Sequence, residues 1–401
     1  MGLRIRHSFL YPRWGPLPFQ PTHVTDNIGQ WRALPNQWRQ FVANLWRAPV
    51  PGAGPCDRLA ARLCFGGTGI ERRTAVSTGA QGPESGGGIA VVIPCYRETA
   101  HILDVIERIG PGVAQVIVVD DACPDGTGDL VERDCTDPRV RVIRHIANKG
   151  VGGATLTGYQ AAIAAGAEII VKLDGDGQMD PDLIPVLVAP IQRGQADYAK
   201  GNRFFQLDDI AGMPTVRVLG NLGLSFASKL SSGYWDVFDP TNGFTAIHAK
   251  VAALLPFAKI STGFFFESDM LFRLNITRAV AVDVPMQAKY GGEHSSLRIR
   301  RVFLEFLGRH LVNTGKRIFY SYFLRDFNFA SIELVLGTLL VAFGILFGLI
   351  RWADSMGSGV PATAGTVILA ALPVIIGTQM LLGFLNHDSR NMPRNPLHLW
   401  L

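Results

Sequence analysis

The chain has 401 residues, of which 48% are hydrophobic and 18% charged, a balance that excludes a wholly disordered polyelectrolyte and leaves ample length to bury a core. Its formal net charge of +5 is modest and unevenly placed: Arg298, Arg300, Arg301, Arg309, Lys316, Arg317 and Arg325 face only Glu305 and Asp326 just before a long apolar stretch. That placement suits an anionic membrane surface and argues against nucleic acid as a partner. Cys56, Cys64, Cys95, Cys123 and Cys135 show neither C-x-x-C pairing nor a His at zinc spacing, so they read as thiols in a reducing compartment.

Residues 1–87 form an extension expected to be disordered and without a catalytic role. Pro12, Pro16, Pro18, Pro21, Pro35, Pro49, Pro51, Pro55 and Pro83 interrupt every candidate helix, and Gly79 to Gly88 is a Gly-rich linker. No apolar run follows Arg4-Ile5-Arg6, so no secretory signal is expected.

From Ile89 the texture becomes alternating strands and helices. Ile89 to Ile93 is an apolar run ended by Pro94; Thr99 to Ile109 puts Ile102, Val105, Ile106 and Ile109 on one helical face; Gln115 to Val119 is a second strand, ended by Asp120-Asp121. Gly126 to Cys135 reads as helix, Val140 to His145 as strand, Gly150 to Ala165 as an Ala-rich helix and Ile169 to Leu173 as strand. Strands spaced by helices of this length predict an α/β fold, a mostly parallel sheet with helices on both faces. Ligands of such sheets sit beyond the carboxyl ends of the strands. There stand Pro94-Cys95-Tyr96-Arg97-Glu98, Asp120-Asp121 and Asp174-Gly175-Asp176.

Asp174 and Asp176, with glycines between and after them, can aim their oxygens at one point. A hard cation such as Mg²⁺ or Mn²⁺, shared between carboxylates and a substrate diphosphate, is one reading; a strand-to-helix turn is the other. Asn148-Lys149-Gly150-Val151-Gly152-Gly153 opens a helix, either against a phosphate or packed closely on the sheet. Asp180-Pro181 is a helix start, and Tyr198 to Gly201 a strand delivering Asn202-Arg203, whose guanidinium fork suits a diphosphate. Thr215 to Ser231 reads as a helix carrying Arg217 and Lys229. Asp239 to Phe244 and Ser261 to Asp269 are polar or Gly-rich loops entering apolar elements; Asp269, with Glu267 as the lesser choice, is the carboxylate available to a nucleophile that needs a base.

Leu297, Ile299, Val302, Phe303, Phe306, Leu307 and Leu311 recur at helical spacing beside the arginines, as in a helix lying in the headgroup layer. Leu334 to Ile350 and Pro361 to Asn386 carry no charge and approach or exceed the ~20 residues a spanning helix needs. Arg317 and Arg325 before the first span, and Arg390 and Arg394 after the second, place the preceding domain and the C-terminus on the cytoplasmic side. A two-helix anchor gains from packing with another copy, so a homo-oligomer is a further expected partner.

Together the motifs V-V-I-P-C-Y-R-E-T (91–99), V-V-D-D-A-C-P-D-G-T (118–127), N-K-G-V-G-G-A (148–154), L-D-G-D-G-Q (173–178), G-N-R-F (201–204) and T-N-G-F (241–244) resemble those of the family 2 glycosyltransferases, in particular the polyprenyl-phosphate glycosyltransferases related to dolichol-phosphate mannose synthase. The likeness covers residues 88 to about 290. It implies a GT-A domain over 88–295, followed by a juxtamembrane region (296–330), two transmembrane helices (331–387) and a tail (388–401). It further implies a nucleotide-sugar donor held by Pro94, Tyr96, Glu98, Asp120, Asp121 and Lys149, a metal, Mg²⁺ or Mn²⁺, on Asp174, Asp176 and Gln178, donor phosphate at Arg203, and a polyprenyl phosphate acceptor drawn by Arg203 and Arg217. After Val284 the sequence Tyr290-Gly291-Gly292-Glu293-His294-Ser295-Ser296-Leu297 replaces the family's basic segment. Two other expectations stand beside this one: transfer to a hydroxyl acceptor with Asp269 as base, and a catalytically silent nucleotide-sugar-binding membrane scaffold.

Overall fold

A computed structural model describes residues 88–204, 215–286 and 299–401. The expected extension over 1–87 lies outside the described residues, as does the departure at 290–297. The elements run β1 (Ile89–Cys95), α1 (Ile102–Glu107), β2 (Val113–Asp120), α2 (Thr127–Asp134), β3 (Val140–Arg144), α3 (Gly150–Ala164), β4 (Ile169–Lys172), α4 (Ile184–Gln192), β5 (Tyr198–Asn202) and α5 (Thr215–Ser232). Then follow β6 (Thr245–His248), α6 (Ala249–Ala253), α7 (Phe266–Thr277), β7 (Ala281–Pro285), α8 (Ile299–Phe319), α9 (Phe329–Ser358) and α10 (Ala364–Arg390).

The strands form one mixed sheet in the order β3-β2-β1-β4-β6-β5-β7. β1 pairs in parallel with β2 and β4, and β5 with β7, while β6 runs antiparallel between β4 and β5. Burial alternates with the pleat: Ala90 and Val92 join α3 and α7 residues in one core, whereas Val91 and Ile93 join α1 and α4 residues in the other. Pro94 does not end β1. β4 leaves the pairing at Val92, and Val92 and Pro94 point the same way, so the N–H that proline lacks has no ladder partner to lose.

The mixed sheet is the one the GT-A resemblance implies, but the sequence reading did not locate its antiparallel strand β6 or its edge strand β7. Because β6 reverses direction, its start shares an edge with the ends of β1, β2, β4 and β5. The loop 239–244 thus enters the sheet at the crevice where the strand-end carboxylates lie.

Helices α9 and α10 pack along one another. Only 11% of the most apolar window of each is buried, so they have the length, composition and exposure of membrane-spanning helices and not those of core helices. They begin on caps, the Asn328 side chain accepting from Ala330 N–H and Thr363 from Thr366 N–H.

A buried ion pair joins this pair of helices to the sheet domain. Arg317 on α8 donates to both oxygens of Asp388 on α10, at 2.7 and 2.9 Å, and to the Leu230 carbonyl of α5. Tyr322 Oη and Trp235 Nε1 donate to the same carboxylate. Beyond α10 the chain returns to the sheet: Leu397 N–H, His398 N–H and His398 Nδ1 meet the carboxylate of the fully buried Asp197, and His398 stacks on His248 with ring centroids 4.4 Å apart.

Removing one partner of a buried pair strands the other's charge. Asp388→Ala should therefore lower unfolding free energy by about 3–5 kcal/mol in denaturant titrations of the micelle-solubilised protein, and Arg317→Met combined with Asp388→Leu should lose less than Asp388→Ala alone.

Candidate active site

The crevice floor is built by cross-strand partners. Lys172 of β4 and Lys200 of β5 are both in register with Thr245 of β6, and Lys200 with Asp283 of β7, so these side chains share one face of the sheet. Lys172 is 1% exposed and Lys200 0%. Lys172 Nζ stands 2.7 Å from Asp174 Oδ1 and 3.2 Å from Glu267 Oε1. Burial pulls the Lys172 ammonium down, but the two carboxylates outweigh it and hold its pKa above the usual lysine value. Lys200 donates to the Asn242 carbonyl, and burial lowers it to about 8.

Above this floor Asp174-Gly175-Asp176 leaves the end of β4. Gly175 packs on Ile102, Ile93 and Cys95, which anchors the two flanking carboxylates. Asp176 Oδ1 accepts from Gln178 N–H at 2.9 Å. Arg203, at the exit of β5, lies bidentate on Asp239 at 2.8 and 3.2 Å, and Asp239 is fully buried. The loop is tied down further by Asn242, which donates to Gly201 O and accepts from Phe244 N–H. Gly243 has no room for a side chain: a Cβ there would lie 2.5 Å from both Asp174 Oδ2 and Lys172 Nζ. The structure thus sets the loop 239–244 between two of the expected residues, with Arg203 on Asp239 and Asp174 against Gly243.

The other walls are shaped from within. Asp120 accepts from Cys123 N–H and Gly128 N–H, each at 2.7 Å. Asp121 accepts from Lys149 N–H and Gly150 N–H, each at 2.8 Å, and meets His145 Nδ1 at 2.6 Å. Both carboxylates are buried and turned onto the backbone of neighbouring loops. Tyr96, by contrast, is 43% exposed at the end of β1, after the buried Pro94 and beside a half-buried Glu98.

The family described as Glycosyl transferase family 2 matches residues 90–254. The UDP-N-acetylglucosamine–dolichyl-phosphate N-acetylglucosaminyltransferase of Methanococcus voltae is 30% identical over 232 residues, 54% of this chain and 92% of that protein. The chain belongs to glycosyl transferase family 2. The undecaprenyl-phosphate mannosyltransferase of Micrococcus luteus is likewise 30% identical, over 202 residues, 49% of this chain and 82% of that protein. Among solved structures, glucosyl-3-phosphoglycerate synthase from Mycobacterium tuberculosis aligns with a TM-score of 0.46 and 21% identity over 57% of this chain and 81% of that one.

Within this family 2 domain, one expectation needs revision. Asp269 does not face the crevice: its oxygens accept from Ser261 N–H (2.9 Å), Arg273 Nε (3.2 Å) and Asn313 Nδ2 of α8 (3.0 Å). Two positions apart on a helix is about 200°, so Glu267, not Asp269, points at Lys172 and Asp174. Of the two readings of the glycine cluster opening α3, the contacts favour close packing, against the loop at Thr262 and not against the sheet. Gly152 and Gly153 donate to the Thr262 carbonyl and Gly150 to Asp121, and a Cβ on Gly150, whose φ is +83°, would strike Thr262 O. Asp120 and Asp121, expected at the nucleoside, are buried and accept from backbone amides of the neighbouring loops. Lys149 and Gln178 are exposed, and Arg217 falls in the first turn of α5 with its side chain outside the described residues.

Lys172 and Lys200 escaped the sequence reading, and Asn242 entered it only as part of the motif T-N-G-F. A lysine inside the apolar run I-I-V-K-L, two residues before an aspartate, is the signal that was present, since a buried cation demands a nearby anion.

The tight contact at Gly243 gives a direct test of this geometry. Gly243→Ala should push Asp174 off its position and cut transfer roughly 100-fold in a radiolabelled-donor assay. Gly110→Ala, where no atom lies within 4 Å of the new Cβ, should leave the rate unchanged.

Proposed function

We propose that this chain transfers a sugar from a nucleotide-sugar donor to a polyprenyl phosphate at a membrane surface, giving a polyprenyl-monophosphate sugar and a nucleoside diphosphate. The observation that carries the reading is the attachment of the strand-end crevice, through Arg317 and Asp388, to a helix pair suited to the bilayer. The names of the M. voltae and M. luteus relatives, both transferases acting on a polyprenyl-type phosphate, support the same acceptor class.

In the transfer, an oxygen of the acceptor phosphate forms a bond to the anomeric carbon, and the bond from that carbon to the donor's β-phosphate oxygen breaks with its electron pair. A phosphate monoester has a second pKa of about 6 and is mostly dianionic at neutral pH, so it needs no general base. That agrees with Asp269 being committed to Ser261, Arg273 and Asn313, and it disfavours a hydroxyl acceptor activated by Asp269. Arg203, oriented by Asp239, presents its guanidinium to the charge developing on the leaving diphosphate. Tyr96 and Glu98, following Pro94, receive the nucleoside at the exposed end of β1, and Arg217 on α5 draws the acceptor phosphate.

Asp174, Asp176 and Gln178 supply oxygen donors only. Among the described residues no three His, Cys, Asp or Glu side chains gather at one point. The two carboxylates and the amide oxygen are hard donors, which suits Mg²⁺ or Mn²⁺, ions that complete their coordination with water and substrate phosphates. When bound, the ion would neutralise negative charge on the leaving diphosphate. The basic residues flanking the spans support a cytoplasmic location for the transferase domain and for the segment after α10.

The test is a panel of nucleotide sugars offered with polyprenyl phosphate to the purified full-length protein, with and without chelator, the lipid product being identified by mass. A polyprenyl-monophosphate sugar that disappears on chelation is expected, as is loss of product in Asp176→Asn. Transfer only to hydroxyl acceptors would overturn the acceptor assignment, and full activity of Asp176→Asn would remove the metal site.

A further inference from the structure

Lys172 is an unusual neighbour for a metal-binding carboxylate. It is buried in the middle of the sheet, on the strand that delivers Asp174, and its ammonium lies between two carboxylates from opposite sides of the crevice: Asp174 from the end of β4 and Glu267 from the first turn of α7. Among the described residues no other side chain donates a hydrogen bond to either of them. Gly243 closes over the group, so Asp174 Oδ2 and Lys172 Nζ both lie against its backbone. One oxygen of the proposed metal ligand is therefore already held by a fixed cation that solvent does not reach.

We propose that Lys172 is a positioning residue that shares the Asp174 carboxylate with the donor-bound divalent cation, and that Glu267 sets how strongly Lys172 competes for it. This rests on the metal reading above. The ammonium fixes the orientation of Asp174 by taking Oδ1, and its charge repels a second cation at short range. A free divalent ion accordingly binds weakly, and a nucleoside diphosphate, which brings its own negative charge, is needed for tight binding. Glu267 acts in the opposite sense. It draws Lys172 away from Asp174 and adds negative charge beneath the site. The arrangement couples ion retention to the diphosphate, so that the ion is kept while donor is present and loosened once the product diphosphate departs.

The two residues should therefore move ion affinity in opposite directions, which a purely structural role would not do. Mn²⁺ binding to the purified full-length protein, without donor, is followed by the electron paramagnetic resonance of the free ion. Lys172→Met should bind Mn²⁺ about tenfold more tightly than wild type, whereas Glu267→Gln should bind it about tenfold more weakly. Lys172→Met should also narrow the gap in Mn²⁺ affinity between protein alone and protein saturated with nucleoside diphosphate. Circular dichroism establishes that each variant is folded; should Lys172→Met not fold, Glu267→Gln decides alone, and unchanged or tighter binding there overturns the proposal. Weakening in both variants, or no change in either, overturns it while leaving the metal reading intact. A wild-type protein that takes up no Mn²⁺ even with nucleoside diphosphate removes the metal reading itself, and this proposal with it.

Discussion

A charge taken out of water must be met by an opposite charge or a fixed dipole, and that constraint organises this molecule from the crevice floor to the membrane. Lys172 is met by Asp174 and Glu267, Arg203 by Asp239, and Arg317 by Asp388. Apart from the local contact of Lys172 with Asp174, each pair joins segments distant in the chain: strand to helix at the floor, strand exit to loop at the rim, and α8 to α10 at the base. Hydrophobic burial alone would stack the same layers without fixing their register. The ion pairs select one arrangement, because any other leaves a lysine, an arginine or an aspartate unpaired in the interior.

Helix α7 carries this logic across the domain. Its Glu267 face looks at the buried Lys172, and its Asp269 face is tied to Asn313 of α8 and to Arg273 one turn on. Donor chemistry and membrane contact therefore meet on two faces of one helix. Phe265, just before it, packs edge-on against Phe306 and His310 of α8, so α8 lies directly against the start of the helix that carries Glu267.

Much of this was legible in the sequence because the first half of the sheet is made of short apolar runs separated by periodic helices, with β1, β2 and β4 largely buried and β3 at the edge. The strands β1, β2, β3 and β4, and the convergence of their polar ends, follow from that pattern. The second half resisted. β6 is only Thr245–His248, directly after a polar loop, and β7 carries Asp283 and ends in Pro285, so neither shows a strand's composition by itself. The antiparallel insertion of β6 depends on pairings across the sheet that no local pattern encodes. Choosing between Glu267 and Asp269 was equally beyond local reading: in F-E-S-D both carboxylates open a helix, and only the packing of α7 between the sheet and α8 decides which one turns inward. The glycines of α3 had two physical explanations, and the Thr262 carbonyl decides for close packing.

The return of the chain after α10 has a consequence for how the protein is made. Asp197 lies at the entry to β5, in the middle of the sheet domain, yet three of its four donors come from Leu397 and His398, which are translated some two hundred residues later and after both spanning helices. Until those residues leave the ribosome, the carboxylate has only Val280 N–H to satisfy it. The sheet domain is thus expected to complete this part of its packing only once the segment after α10 has been made, so the last residues of the chain act as a clasp on its interior.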